Sequence, residues 1–197
     1  MRFILLSSFL YLFFVASAQN EPNSFTYSHY WKNRKPHAAY WQQDVHYTIN
    51  AVINDEKNEI KGEERLVYYN NSPDNLKVAY FHLYQNAFQP GSYAHALNEV
   101  NHEETTFGPN EILKMGTLLD AITVNGKAVK YKLDNTILIV YLNEEIQSNT
   151  SVVFDIKFRT YWDNGSMRRR FKTFDTDAQN KHFDGVHWYP RISVYDS

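Results

Sequence analysis

"AITVNGKAVKYKL", residues 121–133, decides how this chain folds. Ile122 and Val124 alternate with less apolar neighbours, Asn125-Gly126 interrupts, and a second strand-like run follows. Asn and Gly tolerate positive φ at both centres of a type I′ turn, so the stretch predicts a two-residue β-hairpin. A second turn at Asp134-Asn135, inside "KLDNTILIVYL" (132–142), continues the up-and-down pattern. Strands joined this tightly pair antiparallel, because parallel strands need a long crossover connection.

Upstream, "DVHYTINAVI" (44–53) places Val45, Tyr47, Ile49, Ala51 and Ile53 on one face, with His46, Thr48 and Asn50 on the other. After the polar turn "NDEKNE", the stretch "IKGEERLVYYN" (60–70) alternates again, with Ile60, Leu66 and Tyr68 sharing a face. "KVAYFHLYQNAF" (77–88) is more uniformly apolar and reads as a third, central strand. Residues 89–117 break the rhythm with Gly91, Gly108, Pro109 and Gly116, and read as an excursion holding one helical turn. Downstream, "SVVFDIKFRTYW" (151–162) sets Val152, Phe154, Ile156 and Phe158 against Val153, Asp155, Lys157 and Arg159. No helix of ten or more residues is signalled beyond the first stretch. The expected fold is all-β, an antiparallel sheet or sandwich.

Composition agrees. The 197 residues are 43% hydrophobic and 16% aromatic, with 15 Tyr, 13 Phe and 4 Trp, enough for a sizeable core rich in strand formers. A net charge of −2 gives no ground for a nucleic-acid or anionic-membrane partner. Without cysteine there are no disulfides, thiolate metal sites or lipid-bearing cysteine. The opening "MRFILLSSFLYLFFVASAQN" pairs Arg2 with an apolar run and ends in Ala16-Ser17-Ala18. That order predicts a signal peptide over 1–18 and export to the periplasm or the extracellular space. A polar leader follows over 19–39, then one β domain over 40–197.

Chemistry-bearing motifs are few. His102-Glu103-Glu104-Thr105-Thr106 begins like the zincin helix H-E-x-x-H but ends in Thr106, with Gly108-Pro109 close behind, so it makes no zinc site. His182, Asp184 and His187 put three donors in one loop, a pattern that suits a metal or simple loop polarity; the spacing is loose, and the second reading is taken. Arg168-Arg169-Arg170 is a short basic run, expected to be a solvated strand or turn. Sequons stand at Asn70, Asn149 and Asn164. Nucleophile elbows and phosphate-binding loops are absent. No complete active site is spelled out.

Several stretches together are similar to one family. "YWQQDVHYTINAVINDEKNEIKGEERLVYYNNSPDNLKVAYFHLYQNAFQPGS" resembles the opening of exported bacterial zinc metallopeptidases of the aminopeptidase N family. "ITVNGKAVKYKLDNTILIVYL" and "SVVFDIKFR" resemble their later hairpins, and "FDGVHWYPRISVYD" the segment closing their first domain. The resemblance runs from Tyr40 to Asp196 and is most specific in "FHLYQNAFQPGS" and "DGVHWYPRISVYD". It implies a saddle-shaped, non-catalytic β domain ahead of a thermolysin-like catalytic domain that acts on peptides. That partner domain would carry the zinc helix and a G-x-M-E-N strand for the substrate's α-amine, and neither motif is in this chain. The resemblance therefore implies a front piece, truncated at its C-terminal side, inactive alone and holding no cofactor itself, with an unpaired sheet edge prone to association. It also implies that the loop before the "WYP" stretch approaches the substrate's amino end, which nominates Asp184 and His187 as substrate-binding residues. A rival expectation is an exported β-sandwich module that binds glycan or peptide through its aromatic residues.

Overall fold

The computed structural model describes residues 40–168, 171–175 and 180–196; the expected signal peptide and leader lie outside the described residues. Its elements, in chain order, are β1 (Asp44–Asn54), β2 (Glu59–Asn70), β3 (Leu76–His82), a 3-10 turn (Tyr84–Phe88), α1 (Tyr93–Val100) and α2 (Pro109–Ile112). Then follow β4 (Thr117–Val124), β5 (Lys127–Ala128), β6 (Lys130–Asp134), β7 (Ile137–Ile146), β8 (Thr150–Tyr161), β9 (Thr173–Asp175), β10 (Lys181–Phe183) and β11 (Arg191–Ile192). One sheet runs β1-β2-β8-β4-β5, a second β11-β3-β7-β6, and β10-β9 form a small ribbon. Every named pairing is antiparallel. The all-β sandwich is thus observed.

The alternating strands behave as the pattern requires. In β8, Val152, Phe154, Ile156 and Phe158 are all buried, because period-2 geometry sends them to one face. Register carries this face across the sheet: Phe154 stands beside Leu66 of β2 and Val124 of β4. Phe81, Leu138 and Val140 of the second sheet close on it, with the Phe81 and Phe154 rings 5.2 Å apart and nearly perpendicular. On the opposite face of the first sheet, cross-strand ion pairs form a ladder. Arg65 meets Asp155 at 2.9 Å, Lys157 meets Glu63 at 2.9 Å, and Arg159 grips Asp120 through both Nε and Nη2.

Gly62 of β2 sits opposite Phe158. A methyl group there would lie 2.3 Å from Phe158 Cζ, so the ring occupies the space that glycine leaves. Gly62→Ala should therefore cost about 1–3 kcal/mol by overpacking. Chemical denaturation reads the loss, and Phe158→Leu in the same chain should recover part of it.

Four expectations need correction. The Asn125-Gly126 hairpin forms, with φ of 49° and 75°, but its returning strand pairs only at Lys127 and Ala128. After Val129, which packs against the core, the chain crosses to the second sheet as β6. The next turn is one residue later than expected, since Asp134 pairs with Ile137 across Asn135-Thr136. The apolar run 77–88 is not one strand: β3 stops at His82, and a 3-10 turn turns Gln85 and Asn86 inward. The excursion holds two helices rather than one turn. Ser92 caps α1 by accepting the His95 amide at 3.1 Å, and Glu111 Oε2 accepts the Gly108 amide at 2.8 Å at the start of α2.

Candidate functional site

The loop that carries Asp184 and His187 is pinned from behind by a buried polar chain. Trp162 stacks flat on Phe171, ring centres 4.9 Å apart, and its Nε1 donates to the Asp184 carbonyl at 2.6 Å. The Asp184 amide donates to the Lys172 carbonyl at 3.0 Å. Gln85, in the 3-10 turn, donates its side-chain amide to the carbonyls of Val186 at 3.0 Å and His187 at 3.1 Å. On the far side of the loop, Thr160 Oγ1 donates to the Trp188 carbonyl at 2.7 Å. Four anchors within five residues leave the backbone little freedom.

Held this way, His187 adopts φ of 53°, a left-handed conformation that a side-chain-bearing residue keeps only when its surroundings over-determine it. Its ring lies against Tyr84 at 4.5 Å between centres, and Tyr84 in turn stacks on His82 at 5.1 Å. His187 forms one lip of an apolar hollow of roughly 310 Å³, whose walls include Tyr84, Gln85, Phe88, Phe171 and Val186. Asp184 does not line it. Its carboxylate instead meets His182 Nε2 at 3.2 Å on the surface. The two nominated residues therefore share a loop but face different surroundings.

Behind Gln85 lies Arg168. The run of three arginines was expected to be solvated, yet Arg168 is 2% exposed; Arg169 and Arg170 lie outside the described residues. Arg168 Nε donates to Glu111 Oε1 at 2.5 Å, and Nη1 reaches Gln85 Oε1 at 3.1 Å and the carbonyls of Tyr161 and Phe171. Its guanidinium also sits 5.4 Å from the centre of the Phe88 ring, a wall of the hollow. Burial raises the Glu111 carboxyl above its usual range and lowers Arg168, so desolvation outweighs the attraction between them. Sequence offers no local sign of this pair, whose members stand 57 positions apart.

His102 lies just past α1 with φ of 56°, so the H-E-x-x-T stretch does not form a helix. Among the described residues no three His, Asp or Glu side chains converge as a metal group. The zinc implied by the resemblance therefore finds no donor set in these residues. The Asn70 sequon is sealed: Asn70 is fully buried, and its amide donates to the carbonyls of Asp74, Ile146 and Gln147. Asn149 and Asn164 are exposed. Among the described residues no helix is long and apolar enough to cross a membrane.

No family model matches the chain, and no curated protein matches it. Solved structures give a distant likeness. A two-domain M1 zinc metallopeptidase bound to L-tryptophan aligns at 13% identity and a TM-score of 0.40, over 61% of this chain and 21% of that one. The M1 zinc metallopeptidase from Deinococcus radiodurans aligns alike, as does its mutant bound to a Tyr-Ser-Ala substrate. The chain spans about a fifth of the length of these enzymes. At this degree of likeness the match carries no argument about activity, which rests on the chain's own residues.

Proposed function

We propose that this chain is the N-terminal, non-catalytic β domain of an exported zinc aminopeptidase-like enzyme, and that its His187 loop walls the place where a peptide's amino end lies. The observation that carries the reading is the clamp of Gln85 on the Val186 and His187 carbonyls, which holds His187 in its left-handed conformation at the lip of an apolar hollow. Backbone held against its preference, with a ring presented at a hollow, is what a recognition surface needs. The sequence resemblance over residues 40–196 supplies the enzyme class.

In this arrangement the chain's own work is positional. The hollow excludes water from an apolar side chain, and Asp184, on the surface of the same loop, offers a carboxylate to an ammonium group. Zinc and the general base would belong to a separate catalytic domain, since the described residues hold no donor set for the metal. Alone, the chain should release nothing from aminoacyl anilides, with or without added zinc; turnover above the blank overturns the reading. The gene gives the second test. A frame beyond the Ser197 codon, or a neighbouring gene, should encode H-E-x-x-H with a later Glu and G-x-M-E-N, and a locus with neither would sink the proposal. His187→Gly should leave the melting temperature unchanged or higher, because glycine accepts this φ freely. The same change should weaken binding of a fluorescent tripeptide with a free amino terminus several-fold.

A further inference from the structure

We propose that β1 pairs with β1 of a second copy, joining two first sheets into one continuous ten-stranded sheet about a two-fold axis at Ile49. The strand is unprotected in a way that other edges of these sheets are not. It pairs with β2 through eleven consecutive positions with no bulge, and contains neither proline nor lysine. Among the described residues nothing pairs along its other side, apart from a single bridge between Gln42 and Asp196 ahead of its first residue. By contrast, β5 and β11 are two residues long, and β6 carries Lys130 and Lys132 over five. Short strands and lysines are the usual protection of a sheet edge, and a long, flat, apolar edge invites another strand.

The sequence of β1 selects the partner, because it is complementary to itself. Antiparallel pairing centred on Ile49 sets Val45 opposite Ile53, Tyr47 opposite Ala51, and Ile49 opposite its own copy. On the other face it sets His46 opposite Val52 and Thr48 opposite Asn50. Asp44 meets Asn54, so within the strand no like charges oppose one another. Opposed residues share a face, which keeps the two apolar faces on one side. The second sheet does not cover that face at the ends of β1: Val45 is 45% exposed and Ile53 60%. The pairing would cover both, each with the other's counterpart, and Val52, 71% exposed, would pack on His46.

Light scattering across a concentration series should give twice the chain mass at the upper end. Ile53→Lys, at an exposed position, should leave the melting temperature of the monomer in place and raise the dimer dissociation constant at least about tenfold, by forcing an ammonium group against Val45. The natural chain has no cysteine, so single cysteines read the register. Opposed Cα atoms lie roughly 4.5–5.5 Å apart, within disulfide reach. With oxidised glutathione, Ile49→Cys should cross-link to itself. Thr48→Cys and Asn50→Cys should cross-link when mixed and not alone. A monomer at every concentration, open-ended oligomers instead of a closed dimer, or self-linking at position 48 or 50 would overturn the proposal.

Discussion

Glu64→Leu should make the protein more stable at neutral pH, by about 3 kcal/mol at pH 7. Glu64 lies in β2 between Ile49 and Ile156, on the face that the second sheet covers, and is 2% exposed. Neither carboxyl oxygen has a hydrogen-bond partner among the described residues. Burial alone pushes its pKa from 4.5 up to about 8. In the unfolded chain the group ionises near its ordinary value, so between about pH 4.5 and 8 the folded state binds more protons. Stability should therefore fall as pH rises through that window and level off above it. Urea unfolding at pH 5 and pH 8 reads the slope in the natural chain, and the leucine variant should flatten it. Glu64→Gln should flatten it too but gain less, because an unpaired amide stays buried. An unchanged slope in both variants would refute the assignment.

Arg168→Met should act in the opposite direction, costing about 3–5 kcal/mol by leaving Glu111 buried without its partner. Adding Glu111→Gln should recover most of that, since the pair's desolvation is large and the side-chain oxygen can still accept the Gly108 amide. The single variant should also loosen Gln85, whose Oε1 accepts from Arg168 Nη1. Faster amide hydrogen exchange around His187 would connect the ion pair to the loop. Wild-type exchange there, alongside a full loss of stability, would confine Arg168 to a structural part.

What sequence could and could not reveal follows from how local each cause is. The faces of β8 were readable because apolar and charged residues alternate without exception from Phe154 to Arg159. Asn125-Gly126 was readable because a type I′ turn needs those residue types. The end of β3 was not, because Leu83 and Phe88 continue the apolar run while Gln85 and Asn86 go inward for tertiary hydrogen bonds. Neither glycine nor proline marks the crossing at Val129. Glu64 stood in plain view at an inward position of an alternating strand, yet one carboxylate within such a pattern reads as a solvent residue. The His187 loop stands out in the sequence through its clustered His and Asp donors and its resemblance to a family, but the clamp that shapes it comes from Gln85, about a hundred positions away.

The order of the first sheet also sets a timetable. Its third member, β8, sits between β2 and β4 but is made after both. While residues 71–149 leave the ribosome, the β1–β2 hairpin must wait with the backbone edge of β2, Leu66 and Tyr68 included, open for a strand not yet synthesised. Closure of the sheet is thus a late, long-range event, slow because the distant ends of a long loop must meet first. A newborn chain spends that interval half-built, with the edge of β2 open to any other strand.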